Sequence, residues 1–401
     1  MKHLFTEIMQ SFEGYNIGKM LKYMDNPEII SFAAGMPSAE LFPVELVRTT
    51  QQRILDNNSA QVLQYSPVKG EKDLLEAVID YLKRDNVFIA PENIMITTSG
   101  QHGLDLVGRL FLEPGDTIVC DLPTFGGALA AFEMEAPQYF AKDIQEDGSD
   151  IAGMRAGIID LLQKGILPKF IYVVPDFQNP SGITMSLTKR KALLALSEEY
   201  KIPIVEDSPY RELRYTGQDI PSLYTLDNNR GNVIGIFTFS KIFNPGLRVG
   251  FNIGPPEVIN KFSFIKGANI LNTPKLNQDI CTAFLREYDL DKHFIKTRAF
   301  YSEKLDFFLK TLNEFFSDLK EVHWTVSEGG LFLWMTVPKH INTMELFHVA
   351  IEEKVAFVPG ELFFPREYEQ FNTMRLNFSF PTKNQVVQGV QRLRNVINKY
   401  L

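Results

Sequence analysis

Between residues 94 and 268 short apolar runs alternate with amphipathic stretches, and this alternation is the main structural signal in the chain. The runs at 94–97, 117–120, 138–141, 170–174, 204–206, 233–239 and 249–253 are rich in β-branched and aromatic residues. Near-continuous runs of this kind suit strands buried on both faces of a parallel sheet. Between them, apolar residues recur at helical spacing near 126–134, 151–163, 187–200 and 256–268. Leu74, Leu75, Val78, Ile79 and Leu82 mark one face of an earlier helix, and Leu104, Val107, Leu110 and Phe111 mark another that opens at 98–103. Regular alternation of strand and helix predicts an α/β fold with a mainly parallel seven-stranded sheet flanked by helices.

After about residue 290 the pattern changes. A long helix of Phe, Leu and Lys is expected over 292–317, then short strands at 322–327 and 331–337 around Glu328-Gly329-Gly330. A helix at 343–353, strands at 355–358 and 374–378, and a terminal helix with Val386, Val390, Leu393 and Ile397 on one stripe complete a smaller α+β unit. Residues 1–30 read as a helical arm with Ile8, Met9, Phe12, Ile17, Met20 and Leu21 as its apolar positions. The expected division is an arm at 1–45 belonging to the small domain, a large domain at 46–290 and a small C-terminal domain at 291–401. A chain of 401 residues exceeds one ordinary core, which agrees with two domains.

Composition narrows the partners. The formal charge is −8, from 41 basic and 49 acidic residues, with no basic run that would suit nucleic acid. No apolar run is long enough to span a bilayer, and the N-terminal residues lack the apolar centre of a signal peptide. Cys120 and Cys281 sit singly in apolar settings, as free thiols in a reducing compartment do. No CxxC or HExxH spacing occurs, so no metal site is expected. The expectation is a cytoplasmic protein whose partners are small molecules or another copy of the chain.

Candidate chemistry collects just past the apolar runs, where parallel sheets place their ligand crevice. Ser99-Gly100-Gln101 opens a helix and is either an ordinary N-cap or a phosphate cradle of free backbone N–H groups. Phe125, in Thr124-Phe125-Gly126-Gly127, is either core or a flat face for a ring. Asn179, in Gln178-Asn179-Pro180-Ser181-Gly182, is the polar group there able to aim an amide at a ligand. Glu206-Asp207 ends a buried run and needs a positive partner, either a helix end or Arg211 or a protonated ring nitrogen, and Tyr210 follows closely. Ser240-Lys241, then Asn244-Pro245-Gly246 and Arg248, close the series. Lys241 is either a lysine reaching solvent or a nucleophile, and Arg248 either pairs with a carboxylate or clamps an anion.

The block Ser240-Lys241-Ile242-Phe243-Asn244-Pro245-Gly246-Leu247-Arg248-Val249-Gly250 matches S-K-x-x-x-P-G-x-R-x-G. With the positions above it resembles the fold-type I, pyridoxal-phosphate (PLP) dependent class I/II aminotransferases, in the 2-aminoadipate and kynurenine aminotransferase-like branch. The resemblance covers nearly the whole chain. It implies that Lys241 holds the cofactor as a Schiff base and acts as general base. Ser99, Gly100, Gln101, Ser240 and Arg248 would bind the phosphate, and Phe125 would stand where the family stacks a Tyr on the pyridine ring. Asn179 and Tyr210 would hydrogen-bond the phenolic oxygen, and Asp207 the ring nitrogen. Tyr65, in Gln64-Tyr65-Ser66-Pro67, would reach the phosphate of a neighbouring subunit, which implies a homodimer with shared active sites. Arg375 would grip the substrate α-carboxylate, with Asn179 and Gly35 beside it. The implied activity moves an amino group between an L-amino acid and a 2-oxo acid in two half-reactions.

Two departures stand out. Where the branch often carries an arginine for an acidic substrate side chain, this chain has Gly18, with Lys19 beside it. An apolar or aromatic substrate is the expectation. Phe125 lacks the hydroxyl of the family's Tyr but keeps the stacking face. Rival readings are a β-lyase, decarboxylase or synthase on the same fold, and a non-enzymatic effector-sensing domain.

Overall fold

The computed structural model describes residues 1–11 and 26–401. Of the expected arm positions, Phe12, Ile17, Met20 and Leu21, with Gly18 and Lys19, lie outside the described residues. In chain order the strands are β1 (Ile30–Ser31), β2 (Ile94–Thr97), β3 (Thr117–Leu122), β4 (Gln138–Asp143), β5 (Phe170–Val173), β6 (Ile204–Asp207), β7 (Val233–Thr238) and β8 (Gly250–Ile253). They continue with β9 (His323–Trp324), β10 (Phe332–Thr336), β11 (Val355–Ala356), β12 (Val358–Pro359) and β13 (Thr373–Asn377).

Seven strands form one sheet in the order β2-β8-β7-β6-β5-β3-β4, with β8 antiparallel to both neighbours and the other pairs parallel. The period-2 alternation of a strand sends neighbouring side chains to opposite faces. Both faces are buried here: Phe170 and Tyr172 join one hydrophobic cluster, Ile171 and Val173 the other. That is why these runs contain almost no polar positions. The first cluster continues into a four-stranded antiparallel sheet, β12-β13-β10-β9, covered by the helices Leu290–Phe316 and Lys383–Asn398. β1 pairs in parallel with β11, so the N-terminal segment is stitched to the C-terminal unit.

Most expected elements are present with ends shifted by a residue or two, and the differences have physical reasons. The run at 322–327 pairs as a strand only over His323–Trp324, because at Thr325 the Trp334 N–H donates to the Thr325 hydroxyl in place of a main-chain carbonyl. Two helices were not anticipated, Leu223–Asp227 and Lys275–Glu287. The second buries Ile280, Cys281 and Phe284 against Val44–Val62 and Lys72–Leu82, but its first turn, Lys275-Leu276-Asn277-Gln278, is mostly polar and hides the stripe. Among the described residues no helix is long and apolar enough to cross a membrane.

The loop after β5 is laced in place by a fully buried arginine. Arg190 Nη2 lies 2.6 Å from Asp176 Oδ1, and its guanidinium also donates to the carbonyls of Pro175, Met185 and Pro221. Burial alone would raise Asp176, but the charges of Arg190, Arg211 and Arg214 hold it below the usual carboxylate range. Replacing Arg190 with Leu removes the nearest of these charges from a buried carboxylate, and we predict a loss of ~3 kcal/mol in urea unfolding. A loss under about 1 kcal/mol would show that the loop does not depend on this pair.

Candidate active site

The carboxyl ends of β2, β3, β5, β6 and β7 open on one side of the large sheet, around a cavity of about 340 Å³. Lys241, just past β7, is partly buried, and its Nζ donates to the Gly35 carbonyl at 2.7 Å. Burial, then the charges of Arg375 and Arg248, lower its pKa from 10.5 to about 8. Lys241 therefore does not reach out to solvent.

Asp207, the last residue of β6, accepts a hydrogen bond from the Tyr172 hydroxyl at 2.9 Å. Burial raises its pKa from 3.8 to about 7; the Tyr172 bond opposes that shift and the charge of Glu206 adds to it. No cation lies within ion-pair reach of Asp207 among the described residues. Glu206 accepts the backbone N–H groups of Leu223 and Tyr224 instead, at 3.1 and 2.8 Å. Of the two ordinary partners expected for this pair, a helix end serves Glu206, while Arg211 binds Asp85 at 2.8 Å.

Arg375, central in β13, is buried and also lacks a carboxylate partner among the described residues. Its Nη1 donates to Asn179 Oδ1 at 3.0 Å and its Nη2 to the Ala33 carbonyl at 2.8 Å, while its Nε finds no partner. Asn179 Nδ2 lies 3.4 Å from the Tyr210 hydroxyl, and burial raises the pKa of that hydroxyl. Gly35 is needed for shape: a Cβ there would come within 3.1 Å of Phe332 Cζ.

Also on the lining, Ser99 has φ +82°, a conformation few non-glycine residues adopt and one that gathers at functional sites. Its side chain caps nothing, so it is not an ordinary N-cap; the N-terminus of Gly100–Phe111 faces the cavity. The turn can lie flat on β8 because residue 250 is glycine; a Cβ there would meet Phe237 O at 2.6 Å and Ser99 C at 3.0 Å. Thr238 Oγ1 donates to Ser240 Oγ at 2.9 Å. Arg248, at φ +52°, is exposed at the rim with no carboxylate within reach among the described residues. Gln101 Nε2 braces the Gly127 carbonyl beside Phe125, whose ring lines the cavity.

Of the site positions expected from sequence, all but one line this cavity. The exception is Tyr65, which stands away from it with its side chain 77% exposed. The sequence reading missed Tyr172, Thr238 and Phe332. Tyr172 sits directly across from Val205, two residues short of Asp207 along β6, so only the strand register could have revealed it.

This donor set fits PLP. A buried carboxyl without a cation suits a protonated ring nitrogen. A helix N-terminus with Ser99, Ser240 and Arg248 suits a phosphate dianion, and a lysine amine lines the same cavity.

Comparison with known proteins agrees. Residues 27–393 match the family model "Aminotransferase class I and II". The chain is similar to the aromatic-amino-acid aminotransferase 1 of Thermococcus litoralis, 37% identical over 98% of this chain and 94% of that protein. Its fold superposes on the kynurenine aminotransferase of Pyrococcus horikoshii, solved with PMP, at TM-score 0.94 and 36% identity, covering 100% and 98% of the two chains. It also superposes on the α-aminoadipate aminotransferase of Thermus thermophilus, solved with N-(5'-phosphopyridoxyl)-L-leucine, at TM-score 0.90 and 34% identity, covering 99% and 98%. The chain belongs to the class I and II aminotransferases, and is a fold-type I enzyme that uses PLP for transamination.

Proposed function

We propose that Lys241 is the amine that reacts with PLP, with Asp207 at the ring nitrogen and Asn179 and Tyr210 at the phenolic oxygen. In the same reading Phe125 lies against the ring face, and Ser99, Gly100, Gln101, Ser240 and Arg248 surround the phosphate. The observation that carries this reading is Asp207, a carboxyl buried at the strand end with a hydroxyl for company and no positive charge. A protonated ring nitrogen beside it would return its pKa to the ordinary carboxylate range.

Bound PLP supplies an electron sink for negative charge developing at the substrate α-carbon. Lys241 is tuned to move the proton at that carbon, since its amine is already partly unprotonated near neutral pH. Arg375 offers a planar fork to the α-carboxylate, and by fixing that end it aligns the bond to be broken. Lys241 and Arg248 are taken up by the cofactor in this reading. The other lining residues include Ala33, Met36, Val174 and Phe332, and no cation besides Lys241, Arg248 and Arg375 lines the cavity among the described residues. We therefore propose an apolar or aromatic amino donor, with a 2-oxo acid as acceptor. The exposure of Tyr65 supports a homodimer in which it serves the neighbouring cavity. The free buried thiols Cys120 and Cys281 support a cytoplasmic setting. We read 46–290 as the cofactor domain and 1–45 with 291–401 as the smaller domain.

Lys241→Ala is expected to abolish the cofactor-linked absorbance and turnover while leaving the fold intact by circular dichroism; turnover at the wild-type rate would remove Lys241 from its role. The rate at which apoprotein captures PLP should climb with pH to a plateau, with its midpoint at about 8, since only the unprotonated amine attacks and burial has lowered Lys241 from 10.5. A midpoint near 10 would mean an unperturbed lysine. In a panel of amino acids scored by loss of the cofactor absorbance, aromatic and apolar donors should react at least about tenfold faster than 2-aminoadipate, the span of a few apolar contacts. The reverse order would point to a cation outside the described residues.

A further inference from the structure

Arg375 poses a problem of support. A buried guanidinium must be held, and a carboxylate is the common means of holding it. A resident carboxylate would occupy the fork and repel the incoming one. The structure holds it differently. The guanidinium carbon lies 4.3 Å from the centre of the Phe332 ring and 5.0 Å from that of Phe363, within the range where an aromatic face attracts a cation. Asn179 and Ala33 take one N–H from each terminal nitrogen. One N–H on each terminal nitrogen is left over, and the buried Nε–H also has no partner.

Both rings are fixed from behind. Phe332 meets Tyr210 edge to face, with centroids 5.9 Å apart and planes at 90°, and Gly35 leaves room for its tip. Phe363 meets Trp334 edge to face at 5.6 Å and 86°. Its carbonyl accepts the N–H of Thr124 at 2.8 Å, which ties it to the loop carrying Phe125. A ring face attracts the charge without using a single N–H donor.

We propose that Phe332 and Phe363 are positioning residues for transamination, holding the Arg375 guanidinium by their ring faces in place of a carboxylate so that its charge and free N–H groups remain available to the substrate α-carboxylate. This rests on the reading of Arg375 given above. The two rings act before substrate arrives, setting how tightly a carboxylate is gripped rather than how fast the proton moves.

The test uses the holoenzyme with 3,5-difluorophenylalanine at 332, at 363 and at both, which drains the ring face while nearly keeping its shape. The probe is 3-phenylpropionate, a carboxylate with no amine to react, and its Kd is read from quenching of tryptophan fluorescence. Each single replacement should raise Kd about threefold and the pair roughly tenfold, as loss of cation–π attraction requires. KM for the amino donor should follow while kcat and PLP affinity change less than about threefold. Phe332→Leu, if it folds, should match the doubly fluorinated protein. A Kd unchanged across the fluorinated set, or a loss in kcat alone, overturns the proposal. Arg375→Ala separates the two readings. If it leaves the Kd for 3-phenylpropionate unchanged, the carboxylate assignment fails; if it weakens binding while fluorination does nothing, only the role of the rings fails.

Discussion

Lys241, Asp207 and Arg375 face one cavity, and none of them has an ion-pair partner among the described residues. The same chain knows how to satisfy buried charge elsewhere. Asp176 is ringed by three arginines, and Glu206 takes two backbone N–H groups at a helix start. Charged groups left without an ion-pair partner raise the free energy of the ligand-free state, and a ligand carrying the complementary charges recovers it. The rest of the architecture makes such an arrangement tolerable. A sheet buried on both faces fixes the strand ends, and Arg190 laces the loop that brings Asn179 to Arg375.

The cavity also carries charge of both signs. Arg248 and the helix N-terminus behind Ser99 place positive charge around a small turn, and Arg375 presents a single flat cation beside Asn179. Asp207 is the one acidic group among the described lining residues. A bound molecule with two anionic groups and a basic ring nitrogen matches this set of charges better than any uniformly charged ligand would.

Much of this was legible before any coordinates. The parallel strands announce themselves because both of their faces are buried, and the block from Ser240 to Gly250 ties a lysine, a proline-glycine turn and an arginine at fixed spacing. The helix Lys275–Glu287 was hidden because a mostly polar first turn precedes its apolar stripe. Other features depend on contacts between distant parts of the chain. Tyr172 reaches Asp207 across 35 residues, and Ala33 reaches Arg375 across 342. Nothing in the local pattern around Ala33 foretells that its carbonyl will hold an arginine. The rings of Phe332 and Phe363 read as ordinary core for the same reason.

The segment from Phe32 to Met36 supports the site's charged residues through its main chain. The carbonyls of Phe32, Ala33, Gly35 and Met36 accept from Asn377 N–H, Arg375, Lys241 and the Ser379 hydroxyl in turn. Main-chain carbonyls are the same whatever side chain stands at a position. Ala33 and Met36 can therefore change their side chains over evolutionary time while the strip's support of the lysine and arginine stays unaltered, with Phe32 held by the core and Gly35 by Phe332. A lineage could drift to new amino donors here without passing through an inactive ancestor.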